Sequence, residues 1–99
     1  MVVPFPFSDL SQSKRRPALV VAELPGDDLI LCQITSQAVR DEEAVTIRDE
    51  DFDAGGLKQT SNVRPNRLFT ADEHIVLYRV GHLKPQAIES VLVRLRQLF

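Results

Sequence analysis

The stretch Pro17-Ala18-Leu19-Val20-Val21-Ala22-Glu23-Leu24-Pro25-Gly26-Asp27-Asp28-Leu29-Ile30-Leu31-Cys32-Gln33-Ile34-Thr35 decides how this 99-residue chain folds. Two apolar, β-branched runs flank Pro25-Gly26-Asp27-Asp28, residues that preset or tolerate the backbone angles of a tight turn. The pattern predicts a hairpin over residues 17–35. Alternation sets Leu29, Leu31, Gln33 and Thr35 on one face and Ile30, Cys32 and Ile34 on the other.

Outward from the hairpin, Val2 to Phe7 reads as a first strand, and Pro4 and Pro6 mark it as an edge. Ser8 to Arg15 is polar, without helical periodicity, and reads as a loop. Ser36 to Glu43 reads as a second polar loop, and Ala44 to Arg48 as a short strand. The acidic run Asp49 to Asp53 suits a single helical turn, broken by Gly55-Gly56. Gln59 to Arg64 alternates weakly until Pro65-Asn66 interrupts it. Ile75 to Val80 reads as another strand, closed by Gly81. Beyond Lys84 the period changes: Ile88, Val91, Leu92, Leu95 and Leu98 follow helical spacing, and Pro85 suits a first helical position. The expected fold is mainly β: a small, strongly bent barrel of five or six strands, with a C-terminal helix from Lys84 to Leu98.

Apolar residues make up 43% and charged residues 26% of the chain, which excludes a disordered or fibrous polymer. The longest apolar run, Ala18 to Ala22, is far too short for a membrane span. Met1 to Phe7 has no basic n-region and carries two prolines, so it is not read as a signal peptide. Cys32 is the only cysteine, so a disulfide framework and a cysteine-based zinc cage are both excluded, and a reducing cytoplasm is the expected compartment. Residues 1–99 are expected to form a single domain.

The net charge of −2 is unevenly spread. Residues 41–55 hold seven acidic groups and one basic, whereas residues 56–99 hold seven basic and three acidic. Local potential, not the total, governs whether a polyanion docks. Lys14-Arg15-Arg16 is the densest cationic run, and Pro17 forces Arg16 toward an extended backbone. A guanidinium held that way can grip a phosphate through two parallel hydrogen bonds. The same triplet also suits a solvated cluster that keeps an edge strand from aggregating. Thr35-Ser36-Gln37 can orient a phosphate or a 2′-OH, or simply end a strand. His74 and His82 lack neighbours at metal-ligand spacing, and Asp49, Asp51 and Asp53 lack the glycine and glutamate of a calcium loop. No metal or cofactor is expected. Neither a nucleophile elbow nor a phosphate-cradling glycine loop is present.

Several blocks together resemble one family. Val3-Pro4-Phe5-Pro6-Phe7-Ser8-Asp9 followed by Lys14-Arg15-Arg16-Pro17-Ala18-Leu19-Val20-Val21 is similar to the opening of the MazF/PemK toxin endoribonucleases. Ile34-Thr35-Ser36-Gln37, Asp51-Phe52, Gly56-Leu57, Ser61-Asn62-Val63-Arg64 and Gly81-His82-Leu83 extend the match over essentially the whole chain. The resemblance implies a small SH3-like barrel and a toxin of a type II toxin–antitoxin system that cleaves single-stranded RNA without a metal. It implies Arg16 and Thr35 as catalytic residues, and Lys14, Arg15, Ser36, Gln37, Ser61 and Arg64 as RNA-binding ones. It further implies a homodimer and a cognate antitoxin partner. Ser61 stands where some relatives have an acidic residue, which leaves the general base unassigned. The family usually has further residues, including a Gly-Asp pair, before its first strand, whereas this sequence opens inside that strand. The alternatives are a barrel-fold interaction module without catalytic activity and an inactive member binding antitoxin or RNA. A CcdB-like gyrase binder would need a Trp-Gly-Ile-type tail, where this chain has Gln97-Leu98-Phe99.

Overall fold

The computed structural model describes residues 1–8, 13–36, 44–76 and 79–99; of residues 5–8, 13–15 and 75 it describes the backbone alone. Seven antiparallel strands form one curled sheet, a half-barrel closed by a single helix. The strands are β1 (Val2–Ser8), β2 (Ser13–Glu23), β3 (Asp28–Thr35), β4 (Val45–Ile47), β5 (Phe52–Gly55), β6 (Ser61–Asp72) and β7 (Gly81–Leu83). The helix α1 spans Pro85–Leu98. Across the sheet the order is β4-β6-β3-β2-β1-β7-β5.

The β2–β3 hairpin forms as alternation predicts, with Ala18 opposite Gln33 and Glu23 opposite Leu29. Its turn is closed by Leu24 N–H donating to the Asp28 carbonyl at 2.9 Å. The two faces part as the sequence implies. Cys32 and Ile34 join Val2, Leu19, Ile47, Val63, Leu83 and Val91 in the main core. Leu29 and Leu31 join Val3, Ala18 and Ala71 in a smaller cluster on the opposite face. The helix lies on the main-core side, with Val91 fully buried and Ala87, Ile88 and Leu95 packed around it.

Several expectations are corrected. The strand β2 begins at Ser13, not Pro17, and pairs with β1 as far as Ser8↔Ser13, so the cations at 14–16 sit on a strand. A two-stranded ribbon is held by backbone hydrogen bonds, which leave no hydropathy signal. The strand β1 is also not a simple edge, because Val2 pairs with Gly81 of β7. Second, Pro65 does not end its strand. The ladder runs from Gln33↔Arg64 directly to Cys32↔Leu68, so residues 65–67 form a bulge that absorbs the missing N–H. Third, the described part of the 75–80 stretch holds no strand. Glu73–Ile75 is a 3-10 turn, and the strand comes later, at Gly81–Leu83. Fourth, the strands number seven because Phe52–Gly55, after a 3-10 turn over Asp49–Asp51, pairs with β7.

That last pairing depends on glycine. Gly55 has a φ of +66°, and a Cβ on Gly81 would stand 2.6 Å from the Ala54 carbonyl oxygen. Side chains at either position would force β5 and β7 apart. The Ser36–Glu43 loop falls mostly outside the described residues, as does the tip of the expected 8–15 loop at residues 9–12.

Candidate functional site

The face that carries the smaller apolar cluster turns polar toward one end. Along β2, Arg16 shares the side of Ala18; along β3, Gln33 and Thr35 share the side of Leu31. The β3–β6 ladder sets Thr35 opposite Asn62 and Gln33 opposite Arg64, and the β4–β6 ladder sets Thr46 opposite Asn62. Directly opposed residues point to the same face. The β2–β3 ladder ends at Ala18↔Gln33, and Arg16 and Thr35 each lie two residues beyond that pair on the same face. A polar row therefore crosses four strands in the sequence Arg16, Thr35, Asn62, Thr46, with Gln33 and Arg64 one row inward.

Burial grades along this row. Thr35 is 8% exposed. Arg16, Gln33, Asn62 and Arg64 are half-buried, and Thr46 is exposed. The Thr46 hydroxyl donates to Asn62 Oδ1 at 3.0 Å. Among these six residues are two guanidiniums, two hydroxyls and two carboxamides, and no carboxylate. With two guanidiniums and no carboxylate among them, their combined charge is positive, which favours an anion at this face.

Other predicted site residues fall elsewhere. Ser61 lies on the opposite side of β6, 3% exposed, and its hydroxyl donates to the Gln59 carbonyl at 3.0 Å. It is not part of the row. Ser36 is exposed, one residue beyond Thr35. The backbones of Lys14 and Arg15, on β2, pair with those of Phe7 and Pro6 on β1. Gln37 lies outside the described residues. Sequence reasoning missed Asn62 and Thr46. The alternation of residues 59–64 placed Asn62 beside Arg64, but only the β4–β6 register, which no local pattern encodes, adds Thr46.

Titratable groups gather at the opposite end of the same hairpin. His74 Nδ1 lies 2.6 Å from Asp72 Oδ1, and His74 N–H donates to the same oxygen at 2.8 Å. The carboxylate raises the His74 pKa above the ordinary imidazole value through that side-chain hydrogen bond and its charge. Asp72 is held below its ordinary value, chiefly by the backbone N–H of His74. Among the described residues, Asp27, Glu73 and His74 bring their potential ligand atoms within 4.8 Å of one another, all exposed. A concavity of 530 Å³ opens beside Glu73 and His74. This end begins at Asp28↔Asp72, about 23 Å along β3 from Thr35 at the usual strand rise. It is too distant to act on anything bound at the row. Cys32 is buried in the core, which pushes its thiol up to about 12.

A curled antiparallel half-barrel with one C-terminal helix is the fold of the MazF class of proteins. The chain belongs to the family described as the PemK-like, MazF-like toxin of type II toxin–antitoxin systems, whose model matches residues 1–99. Solved structures agree on the fold. The MazF of a MazE–MazF complex from Deinococcus radiodurans is 21% identical with a TM-score of 0.76, covering 98% of this chain and 89% of that one. The Mycobacterium tuberculosis toxin MazF-mt6 is 18% identical with a TM-score of 0.71, covering 95% and 93%. A mycobacterial endoribonuclease in complex with its cognate antitoxin is 17% identical with a TM-score of 0.69, covering 97% and 87%. Comparison with curated protein sequences gives no match. Among the described residues, no helix is long and apolar enough to cross a membrane.

Proposed function

We propose that this toxin is an endoribonuclease that cleaves single-stranded RNA, its 2′-OH attacking the adjacent phosphate, and so blocks translation and growth. The observation that carries the reading is that Arg16 and Thr35 lie at the same end of neighbouring strands and on the same face, each two residues beyond the Ala18↔Gln33 pair. In this reading the nucleophile belongs to the substrate. The protein's task is to hold the phosphate and stabilise the charge that builds on its oxygens.

Arg16 suits that task, since its planar fork matches two phosphate oxygens and its charge persists at all physiological pH values. Thr35 donates a hydrogen bond from the neighbouring strand to a non-bridging oxygen. Arg64, Lys14, Arg15, Ser36 and Gln37 supply the surrounding contacts to the RNA backbone. Ser61, with its hydroxyl committed to Gln59, is left with a structural part beside the site. Arginine nitrogens carry no lone pair for a metal, so a row built around them works without one. The alternative, a barrel that binds RNA or antitoxin without cutting, predicts binding and no products.

The test uses purified chain, a long unstructured RNA and EDTA. Cleavage leaving 2′,3′-cyclic phosphate ends is expected, and a single 2′-deoxy substitution at the cut site abolishes it. Intact RNA under these conditions, or cutting that requires added magnesium, overturns the reading. The family and the complexes of similar structures with antitoxin also support a homodimer that pairs with a cognate antitoxin.

A further inference from the structure

The titratable cluster at the far end of the hairpin has no part in the reaction proposed above. We propose that Asp27, Glu73 and His74 form a zinc-binding site that clips the β2–β3 turn to the 3-10 turn after β6. The three side chains bring one potential ligand atom each within 4.8 Å of one another. The backbone sets this up. Glu73 N–H donates to the Asp27 carbonyl at 2.7 Å, and Asp28 pairs with Asp72 at the end of the β3–β6 ladder. Two turns distant in sequence are thereby locked side by side, and each contributes ligands. Donors around tetrahedral zinc stand about 3.3 Å apart, given metal–ligand bonds of about 2.0–2.1 Å. Closing on an ion therefore takes a contraction of at most about 1.5 Å, within reach of rotamer changes in exposed side chains.

Two further observations favour a cation here. The first is electrostatic. Asp27 and Glu73 hold like charges close together, and among the described residues neither forms an ion pair with a lysine or arginine. A divalent ion between them turns that repulsion into attraction. The second is Asp72, which lies outside the triad and holds His74 Nδ1 at 2.6 Å. A carboxylate behind a metal-binding histidine fixes the ring and makes it a better ligand. The donor set then selects the ion. Two carboxylate oxygens and an imidazole nitrogen suit zinc, whereas an all-oxygen set suits magnesium or calcium. The 530 Å³ concavity beside Glu73 and His74 gives a hydrated ion open access. In the unfolded chain the three ligands are scattered, so an ion held by all of them favours the folded state. The site lies apart from the Arg16 row and does not depend on the endoribonuclease reading.

The experiment titrates zinc chloride into the metal-stripped chain by calorimetry and follows thermal unfolding with and without the ion. One Zn²⁺ per chain is expected. At free Zn²⁺ about a hundredfold above the dissociation constant, the folding equilibrium moves about a hundredfold toward the native state. His74→Ala, Asp27→Asn and Glu73→Gln should each weaken uptake about tenfold or more, since losing even an outer partner costs that much. Each should also remove the zinc-dependent rise in Tm, whereas His82→Ala changes neither. The three ligand positions are exposed, so the variants are expected to fold, and circular dichroism without zinc checks this. No uptake up to millimolar zinc overturns the proposal, and so does uptake that His74→Ala leaves unchanged. Magnesium binding as tightly as zinc also overturns it, because the imidazole then plays no part. Uptake without any rise in Tm overturns the clip.

Discussion

Arg16 carries most of the proposed chemistry, and its setting makes it testable. It is half-buried on a strand whose partners include Phe5, and the extended backbone before Pro17 limits its reach. Arg16→Ala is expected to lower the cleavage rate about 10²–10³-fold, the usual cost of removing one transition-state donor, with thermal stability nearly unchanged. Arg16→Lys recovers only part, because a point charge cannot make the forked contact. Single-turnover rates read both, and wild-type turnover in Arg16→Ala refutes the assignment. His74 gives a second residue-scale outcome. Its raised pKa means the Asp72 contact stabilises the folded state fully below the ordinary imidazole value, and that contribution fades as pH rises through the raised one. Asp72, with its lowered pKa, contributes above the ordinary carboxylate value and loses its part as pH falls through the lowered one. The pair is therefore best made between about pH 4 and pH 6.5, and since both groups are exposed its effect on stability is small. An NMR titration is expected to place the His74 midpoint above the ordinary value, and Asp72→Asn to bring it most of the way back. A midpoint unmoved by that substitution shows that Asp72 is not the cause.

At the scale of elements, what the sequence reveals tracks how the element is stabilised. The hairpin over 17–35 and the helix after Lys84 each bury a continuous stripe, so alternation and 3.6-residue spacing reveal them. The β1–β2 ribbon, which reaches Ser8↔Ser13, and the bulge at residues 65–67 rest on backbone pairing, which single-sequence patterns do not encode. The same holds for the site. Arg16 and Thr35 stand out by motif, whereas Asn62 and Thr46 become neighbours only through the β4–β6 register. The apolar run from Ile75 misleads because Glu73–Ile75 is a 3-10 turn, and Gly81 begins the strand that was expected to stop there. That role of Gly81 is measurable. Gly81→Ala pushes a methyl toward the Ala54 carbonyl oxygen and should cost about 1–3 kcal/mol, as overpacking does. Val91→Ala, which empties space in the main core, should cost about 2 kcal/mol. Urea unfolding checks both, and a Gly81→Ala midpoint equal to wild type would mean that β5 and β7 can separate freely.

For the whole molecule, the division of charge matters more than the net −2. Seven acidic groups are concentrated in residues 41–55, and the row around Arg16 and Arg64 stays cationic. Binding to single-stranded RNA should weaken with salt along a log–log slope near −0.7 for each phosphate neutralised. Replacing Arg64 by Gln should reduce that slope by about 0.7, since it removes one phosphate contact and no more. Filter-binding at several salt concentrations measures it; a flat dependence would argue against a polyanionic substrate. The same surface has to serve inhibition. An antitoxin that orders an acidic segment on binding meets the cationic row as RNA does, so the two should exclude each other. The toxin is expected to be a homodimer, and a symmetric seam presents the same patch twice. Val93 on α1 is 39% exposed and Phe99, just after its end, is 88% exposed, apolar surface that a second copy can cover. Sedimentation at micromolar concentration should give twice the 11.2 kDa chain mass, and one chain's mass would remove the dimer. Titrating an acidic antitoxin peptide into a preformed toxin–RNA complex should release the RNA stoichiometrically. If both stay bound together without mutual weakening, inhibition works from another face, and the row belongs to RNA alone.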